Sequence, residues 1–191
     1  MKRLRIRQVL IFLSMLVMAI SAIPSARGQE AEDATPAVGP DNPENVRVAR
    51  LSFFYGSAQV ERPGADWQDA QVNLPMEEGT KVRTEDGRAE IQFDDGSILR
   101  LAQSSRVELT ELSVAGGRAT TKVELLSGTA ILVGRISGGE SFRVVTPSID
   151  VEVPSGASFR VDAADGNSWV TVLNGNLQIA AAGKSASEDF R

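Results

Sequence analysis

The chain contains neither cysteine nor histidine. Their absence excludes thiol nucleophiles, disulfides, histidine-based triads, imidazole general bases and the usual zinc sites. Aromatic residues make up only 5%, and no window carries the apolar period of a long amphipathic helix. No acidic cluster has the alternate-position acids and closing glutamate of a calcium loop. No metal and no cofactor is therefore expected. What is present, 42% hydrophobic and 24% charged residues in a chain of 191, fits one globular domain with flexible ends.

Lys2, Arg3, Arg5 and Arg7 precede an apolar run from Val9 to Ile20, and small residues follow from Pro24 to Gly28. That order, basic then apolar then small, is a secretory signal over residues 1–28, cleaved after Gly28. The run is short for an uncleaved anchor, because a bilayer span needs roughly 20 apolar residues. Export without disulfides points to a bacterial envelope, periplasmic or extracellular, with no membrane span left after cleavage. Removing the signal leaves 15 basic residues against 25 acidic ones, a net charge of about −10. A chain of that charge has no electrostatic footprint for nucleic acid or an anionic lipid surface. Residues 29–45 hold three prolines, several acids and no apolar periodicity, so they read as a disordered spacer.

From residue 46 to 182 the pattern is strand after strand. The clearest stretch is Arg88 to Leu101, where Ala89, Ile91 and Phe93 alternate with Glu90 and Gln92 before Asp94-Asp95-Gly96. A two-residue loop would set Ile91 opposite Arg100. A three-residue loop pairs Ile91 with Leu99, Ala89 with Leu101 and Glu90 with Arg100, which keeps apolar residues on one face. The three-residue loop is therefore expected, with Gly96 in the left-handed position. Similar reasoning places two-residue hairpin loops at Tyr55-Gly56, Ser127-Gly128 and Asn174-Gly175. These would pair Phe53 with Ala58, Leu125 with Ala130, and Val172 with Leu177. Further turns are expected at Asp86-Gly87, Ala115-Gly116-Gly117, Thr146-Pro147 and Asp165-Gly166-Asn167. Turn signals every eight to twelve residues imply an all-β fold, a single antiparallel sandwich, barrel or roll built from short hairpins. Residues 183–191 are polar and are expected to be a disordered tail.

The acids Asp86, Asp94, Asp95 and Asp165 could suggest a glycosidase pair. Each sits beside a predicted turn glycine, where aspartate bonds its own backbone, so turn chemistry is the preferred reading. The serines have no histidine to activate them and no Ser-x-x-Lys arrangement. No enzyme is expected. Three side chains are better placed for a partner. Trp67 follows a loop among polar residues, and Ile131 and Trp169 alternate out of phase with the buried faces Ala130–Leu132 and Val170–Val172. Strands apolar on both faces are either buried between layers or exposed for a partner.

These segments, in this order, resemble the FecR domain family of bacterial envelope signalling proteins. The carrying residues are Trp67, Gly79-Thr80, Thr84, Asp95-Gly96-Ser97, Leu126-Ser127-Gly128, Thr146-Pro147, and Gly156 with Phe159 and Val161. The resemblance covers roughly Leu51 to Ala180. It implies an all-β periplasmic domain that works by protein contact and brings no catalytic residues. In signalling members that domain receives a message from an outer-membrane transporter, and a cytoplasmic segment handles a sigma factor. Only a few basic residues precede the apolar run here, so the cytoplasmic role is not carried over. Ala157 and Ser158 stand where the family usually has a threonine and an acid.

The expected function is an exported, non-enzymatic β-domain that binds a protein or an envelope polymer, with a strand edge or apolar patch as its contact. A structural module of a surface assembly and a carbohydrate-active enzyme using paired acids are the alternatives. Intact-mass measurement of the exported protein should find Gln29 as its first residue; a retained Met1 in a membrane fraction would show that the signal is not cleaved.

Overall fold

The computed structural model describes residues 47–182 and 187–190. The secretory signal and the spacer expected from the sequence lie outside the described residues. Thirteen strands and no helix occur among those described. They are β1 (Ala49–Glu61), β2 (Gln68–Asp69), β3 (Pro75–Met76), β4 (Lys81–Gln92), β5 (Ile98–Leu101), β6 (Arg106–Ala115) and β7 (Arg118–Val133). The chain continues with β8 (Ser141–Val145), β9 (Ile149–Glu152), β10 (Ser158–Ala164), β11 (Asn167–Asn174), β12 (Leu177–Ala181) and β13 (Ser187–Phe190). The fold is all-β, as the turn spacing implies. One ladder, β7 with β8, is parallel; the others are antiparallel.

The hairpin from Ala89 to Leu101 has the register that side-chain facing selects: Ile91 opposite Leu99, Ala89 opposite Leu101, Glu90 opposite Arg100. Gly96 lies at φ 84°, and its N–H bonds the carbonyl of Phe93 at 3.1 Å. Asp95 Oδ1 accepts the Ser97 N–H at 2.7 Å, the local backbone bond expected of a turn aspartate. Gly116-Gly117 and Asp165-Gly166 close two further hairpins, β6–β7 and β10–β11.

Three expected hairpins do not form. Gly56 lies inside β1 and Gly128 inside β7, both at positive φ (75° and 90°). Asp86-Gly87 likewise lies inside β4, which pairs with β1 along its whole length, Gly56 facing Gly87. These glycines mark corners where a strand bends and continues. A β-carbon on Gly87 would lie 2.2 Å from the Tyr55 carbonyl oxygen, and one on Gly56 2.2 Å from that of Asp86. The two backbones touch there, so neither position has room for a side chain. On β7 a β-carbon at Gly128 would meet Ser105 Cα at 2.5 Å. Gly175 is a bend at φ 84°, but the strands on either side of it do not pair. Strand β11 runs beside β10, whereas β12 runs beside β9.

Bending at the corners folds one sheet back on itself, so the roll is the form the chain takes. The first limb contains the early half of β1, the late half of β4, then β5, the late half of β7, β10 and β11. The second limb contains the late half of β1, the early half of β4, then β6, the early half of β7, β8, β9, β12 and β13. Strands that cross between limbs through a bulge are the usual way to turn such a corner. The inner faces share one apolar cluster that includes Leu51, Ile91, Leu132 and Phe159 from the first limb with Val82, Leu125, Phe142 and Val151 from the second. Phe93 meets Phe142 edge to face at 4.9 Å between ring centroids. Such pairs contribute about 0.5–1.5 kcal/mol beyond the area they bury.

At the corner β4 and β7 diverge, and their backbone groups lose ladder partners. The segment Ala102–Ser105 fills the gap. Thr84 N–H bonds Ser105 O at 2.9 Å, and Ala102 N–H bonds Thr129 O at 3.0 Å. Ser105 Oγ accepts the Thr129 N–H at 2.9 Å, and Thr84 Oγ1 donates to Ala102 O at 2.6 Å. Thr84 and Ser105 are buried, so without these hydroxyls the orphaned groups would be desolvated and unpaired. A second correction concerns the tail: Ser187–Phe190 pairs with β12 from Leu177↔Phe190 to Ala180↔Ser187. The outer edge of β12 offers a row of backbone donors and acceptors that a polar segment can satisfy as well as an apolar one.

Replacing Gly87 by Ala should cost about 3 kcal/mol, read as a fall in the urea midpoint, because two backbones would have to separate. Gly138→Ala, where nothing lies within 4 Å of the added carbon, should leave the midpoint near that of the wild type. Equal midpoints for the two variants would refute the corner.

Candidate functional site

The outer face of the first limb is built from residues that alternate with its core. Ile131 stands in register between Arg100 of β5 and Arg160 of β10, and it is half-buried there. One row along, Thr129, Asp162 and Trp169 lie abreast on β7, β10 and β11. Trp169 is 57% exposed, and on the same strand Leu173 is 58% and Val172 38% exposed. At the opposite side of this limb Phe53 and Tyr55 are exposed, with the Arg88 guanidinium 5.7 and 6.0 Å from their ring centroids. Ile131 and Trp169 thus share one face.

Among the described residues β11 pairs only with β10, so its other edge is open. The strand reads NSWVTVLN and carries no charge. Long, uncharged, apolar edges are what natural sheets normally avoid, through lysine, proline, bulges or a covering loop; here only a one-residue shift of the β10 ladder at Leu173 interrupts the edge. Trp169 is legible in the sequence as a candidate, whereas Val172 and Leu173 are not. An expected hairpin at Gly175 assigned Val172 a partner on β12, which β12 instead gives to β9. The missing charge over eight residues is the signal that marks the edge.

Arg160 and Arg100 on this face are each paired with a carboxylate, whereas Arg88 meets only the two aromatic rings among the described residues. Arg160 donates to Asp162 at 2.8 and 2.6 Å, and Thr129 Oγ1 adds a bond to Asp162 at 2.6 Å. The Arg160 bond, with Thr129 helping against burial, holds the Asp162 carboxyl below the usual aspartate range. Arg100 does the same for Glu90 across 2.9 Å, assisted by Ser52. On the second limb, Glu61 is lowered by its bond from Lys81.

Trp67 lies on the second limb, beside the short strand β2, with the corner between it and Trp169. It is half-buried. The guanidinium of Arg83 lies 4.4 Å from its ring centroid and that of Arg106 5.2 Å. Both arginines border a polar groove of about 720 Å³ at the corner, lined also by Asp86, Gln103, Ser104 and Ser127. Neither makes an ion pair among the described residues; Arg83 donates to Gln59 Oε1 at 2.9 Å, and Arg106 Nε is buried without a partner. Ser105, also in the wall, has its hydroxyl occupied by Gln103 and Thr129.

Asp94 has a role beyond its turn. Arg47, buried at the start of β1, donates from Nε to Asp94 Oδ2 at 2.9 Å and pairs with Oδ1 through its second nitrogen. Its remaining nitrogen reaches Thr120 O and Thr121 Oγ1, both at 2.9 Å. One guanidinium therefore clamps the β4–β5 hairpin of the first limb to β7 of the second. Burial would raise the Asp94 carboxyl, but the Arg47 bonds and charge prevail and hold it low.

The family model described as FecR protein matches residues 80–178, from the start of β4 into β12. The chain belongs to the FecR family. Two solved structures, both of a protein from Parabacteroides distasonis provisionally titled an anti-sigma factor, are also similar. One is 22% identical with a TM-score of 0.47, covering 56% of this chain and 48% of that one. The other is 20% identical with a TM-score of 0.46, covering 58% and 50%. The chain thus spans about half the length of these proteins. A search of the curated proteins finds no match. The FecR match includes β11, the Arg83–Arg106 corner and Ile131, while Trp67 and the whole of β1 precede it.

Asp94→Asn should destabilise by about 1–3 kcal/mol, because the buried Arg47 loses its counter-charge while the carboxylate itself is partly exposed. The pH dependence has a definite sign. Asp94 contributes above its unfolded value near 3.8, and the contribution disappears as pH falls through the lower folded value. Urea midpoints of wild type and variant, compared at pH 7 and near pH 2, should differ at the first and converge at the second.

Proposed function

We propose that this chain is an exported, non-enzymatic FecR-family domain of a bacterial envelope that binds a protein partner by strand addition at the open edge of β11. The observation that carries it is the uncharged eight-residue edge, with Trp169 and Leu173 each more than half exposed on an otherwise acidic protein. An added strand takes its affinity from main-chain hydrogen bonds and its selectivity from alternate side chains. Here Trp169, Thr171 and Leu173 form one row and Ser168, Val170 and Val172 the other. Ile131, on the same outer face, extends the contact inward between Arg100 and Arg160. Trp67 braces the corner in this reading, since two guanidiniums already engage its ring.

Membership of the FecR family supports a signalling-related, regulatory purpose for that contact. The turn role of Asp95 and the lack of histidine and cysteine support binding over catalysis. The signal-like first 28 residues support a periplasmic or extracellular site of action.

A photo-reactive residue at Thr171, incorporated in the exporting cell, should give a covalent adduct with an envelope protein. The same probe at Arg118 should give none. Trp169→Glu should abolish the Thr171 adduct with an unchanged melting temperature. Adducts at neither position, indifference to Trp169→Glu, or unfolding of that variant would each overturn the edge as a docking surface, and cleavage of a glycan by the purified protein would overturn the binding-module reading.

A further inference from the structure

We infer that the strand received by β11 is β11 of a second copy of this chain, joined antiparallel about a two-fold axis at Thr171. The inference rests on the strand-edge reading above and names its partner. In a symmetric pair the axis lies normal to a continuous sheet, so outer residues must face outer residues. Centring the axis on Thr171 sets Val170 opposite Val172 of the second copy, Ser168 opposite Asn174 and Thr171 opposite itself, and brings Trp169 beside Leu173, the extra residue at which the ladder of β11 to β10 shifts by one. Each apolar residue meets an apolar one, and each pair occurs twice except at the axis. Aromatic–aliphatic and Thr–Thr neighbours are among the favourable cross-strand pairs. Centring on Val170 would put Trp169 against Thr171 and Val172 against Ser168, leaving apolar side chains opposite polar ones. Centring on Val172 leaves Trp169 without a partner. The Thr171 axis is the one register that covers the most exposed side chains of the strand, Trp169 and Leu173.

Charge favours the same partner. The chain is acidic overall, so most of its surface repels a second copy. Strand β11 has no charged residue. On the outer face of β10 directly behind it, Arg160 and Asp162 neutralise each other in an ion pair. Two copies can approach along this edge without placing like charges opposite one another, a contact that is otherwise destabilising.

The absence of native cysteine allows a direct test on the mature protein. Facing residues of an antiparallel pair have Cα atoms about 4.5–5.5 Å apart, within the range a disulfide spans. Under mild oxidation Thr171→Cys should therefore link two copies. Ser168→Cys should not, because its two thiols would be separated by six residues of register, roughly 20 Å. Sedimentation of the wild type should show a dimer, and Leu173→Glu should weaken it by about 100-fold while leaving the melting curve of the monomer in place. Linking by both cysteine variants, or by neither, overturns the inference. A wild type that stays monomeric to about 1 mM while the Thr171 probe still captures a different envelope protein would remove the second copy and keep the edge. A monomer with no adduct at Thr171 would remove both.

Discussion

Everything in this fold depends on three long strands turning a corner without breaking. At Gly56 and Gly87 the backbones of β1 and β4 approach so closely that an added β-carbon on either would meet the other's main-chain oxygen at 2.2 Å. On β7 the same constraint holds between Gly128 and Ser105. A strand pair of this length would otherwise run on as a twisted ribbon, with one face open to water. Bent at its glycines, it brings its two halves face to face and buries a single core. The bend removes ladder partners from β4 and β7, and the hydroxyls of Thr84 and Ser105 replace them.

Once the sheet is folded, its two limbs share one apolar cluster, and a few specific contacts add to it. The Phe93–Phe142 ring pair joins the apolar faces. Arg47 joins the rim, spending its donors on Asp94 of one limb and on Thr120 and Thr121 of the other. Arg47, two residues before β1, is thereby fixed into the roll, so the sheet begins at a defined place.

Folding one sheet on itself also determines what is left over. The second limb continues outward through β8, β9 and β12 to β13. The first limb stops at β11. On its outer face Arg100 and Arg160 are matched by Glu90 and Asp162, and β11, its last strand among the described residues, has no charged residue.

Several properties of this protein were settled by sequence alone, because they are local or compositional. Lack of histidine and cysteine limits the chemistry whatever the fold. The register of the Ala89–Leu101 hairpin followed from facing, since a shift of one residue would have turned Ile91 and Leu99 outward. Gly56, Gly128 and Gly175 show the limit of such reasoning. A glycine at positive φ after a polar or aromatic residue serves a hairpin turn and a strand corner equally well, so the local pattern does not distinguish them. The choice was made by which neighbour each strand found: β4 along the whole of β1, β5 and β10 beyond the bend of β7, β9 for β12. The same holds for Asp94, a good turn residue by its neighbours, whose partner lies 47 positions earlier. It holds too for Val172 and Leu173, whose exposure depends on a strand that the chain does not place beside them. Short-range patterns set facing and turn geometry, whereas pairing between distant strands is a competition among backbones that all offer the same hydrogen bonds, decided only when the whole sheet closes.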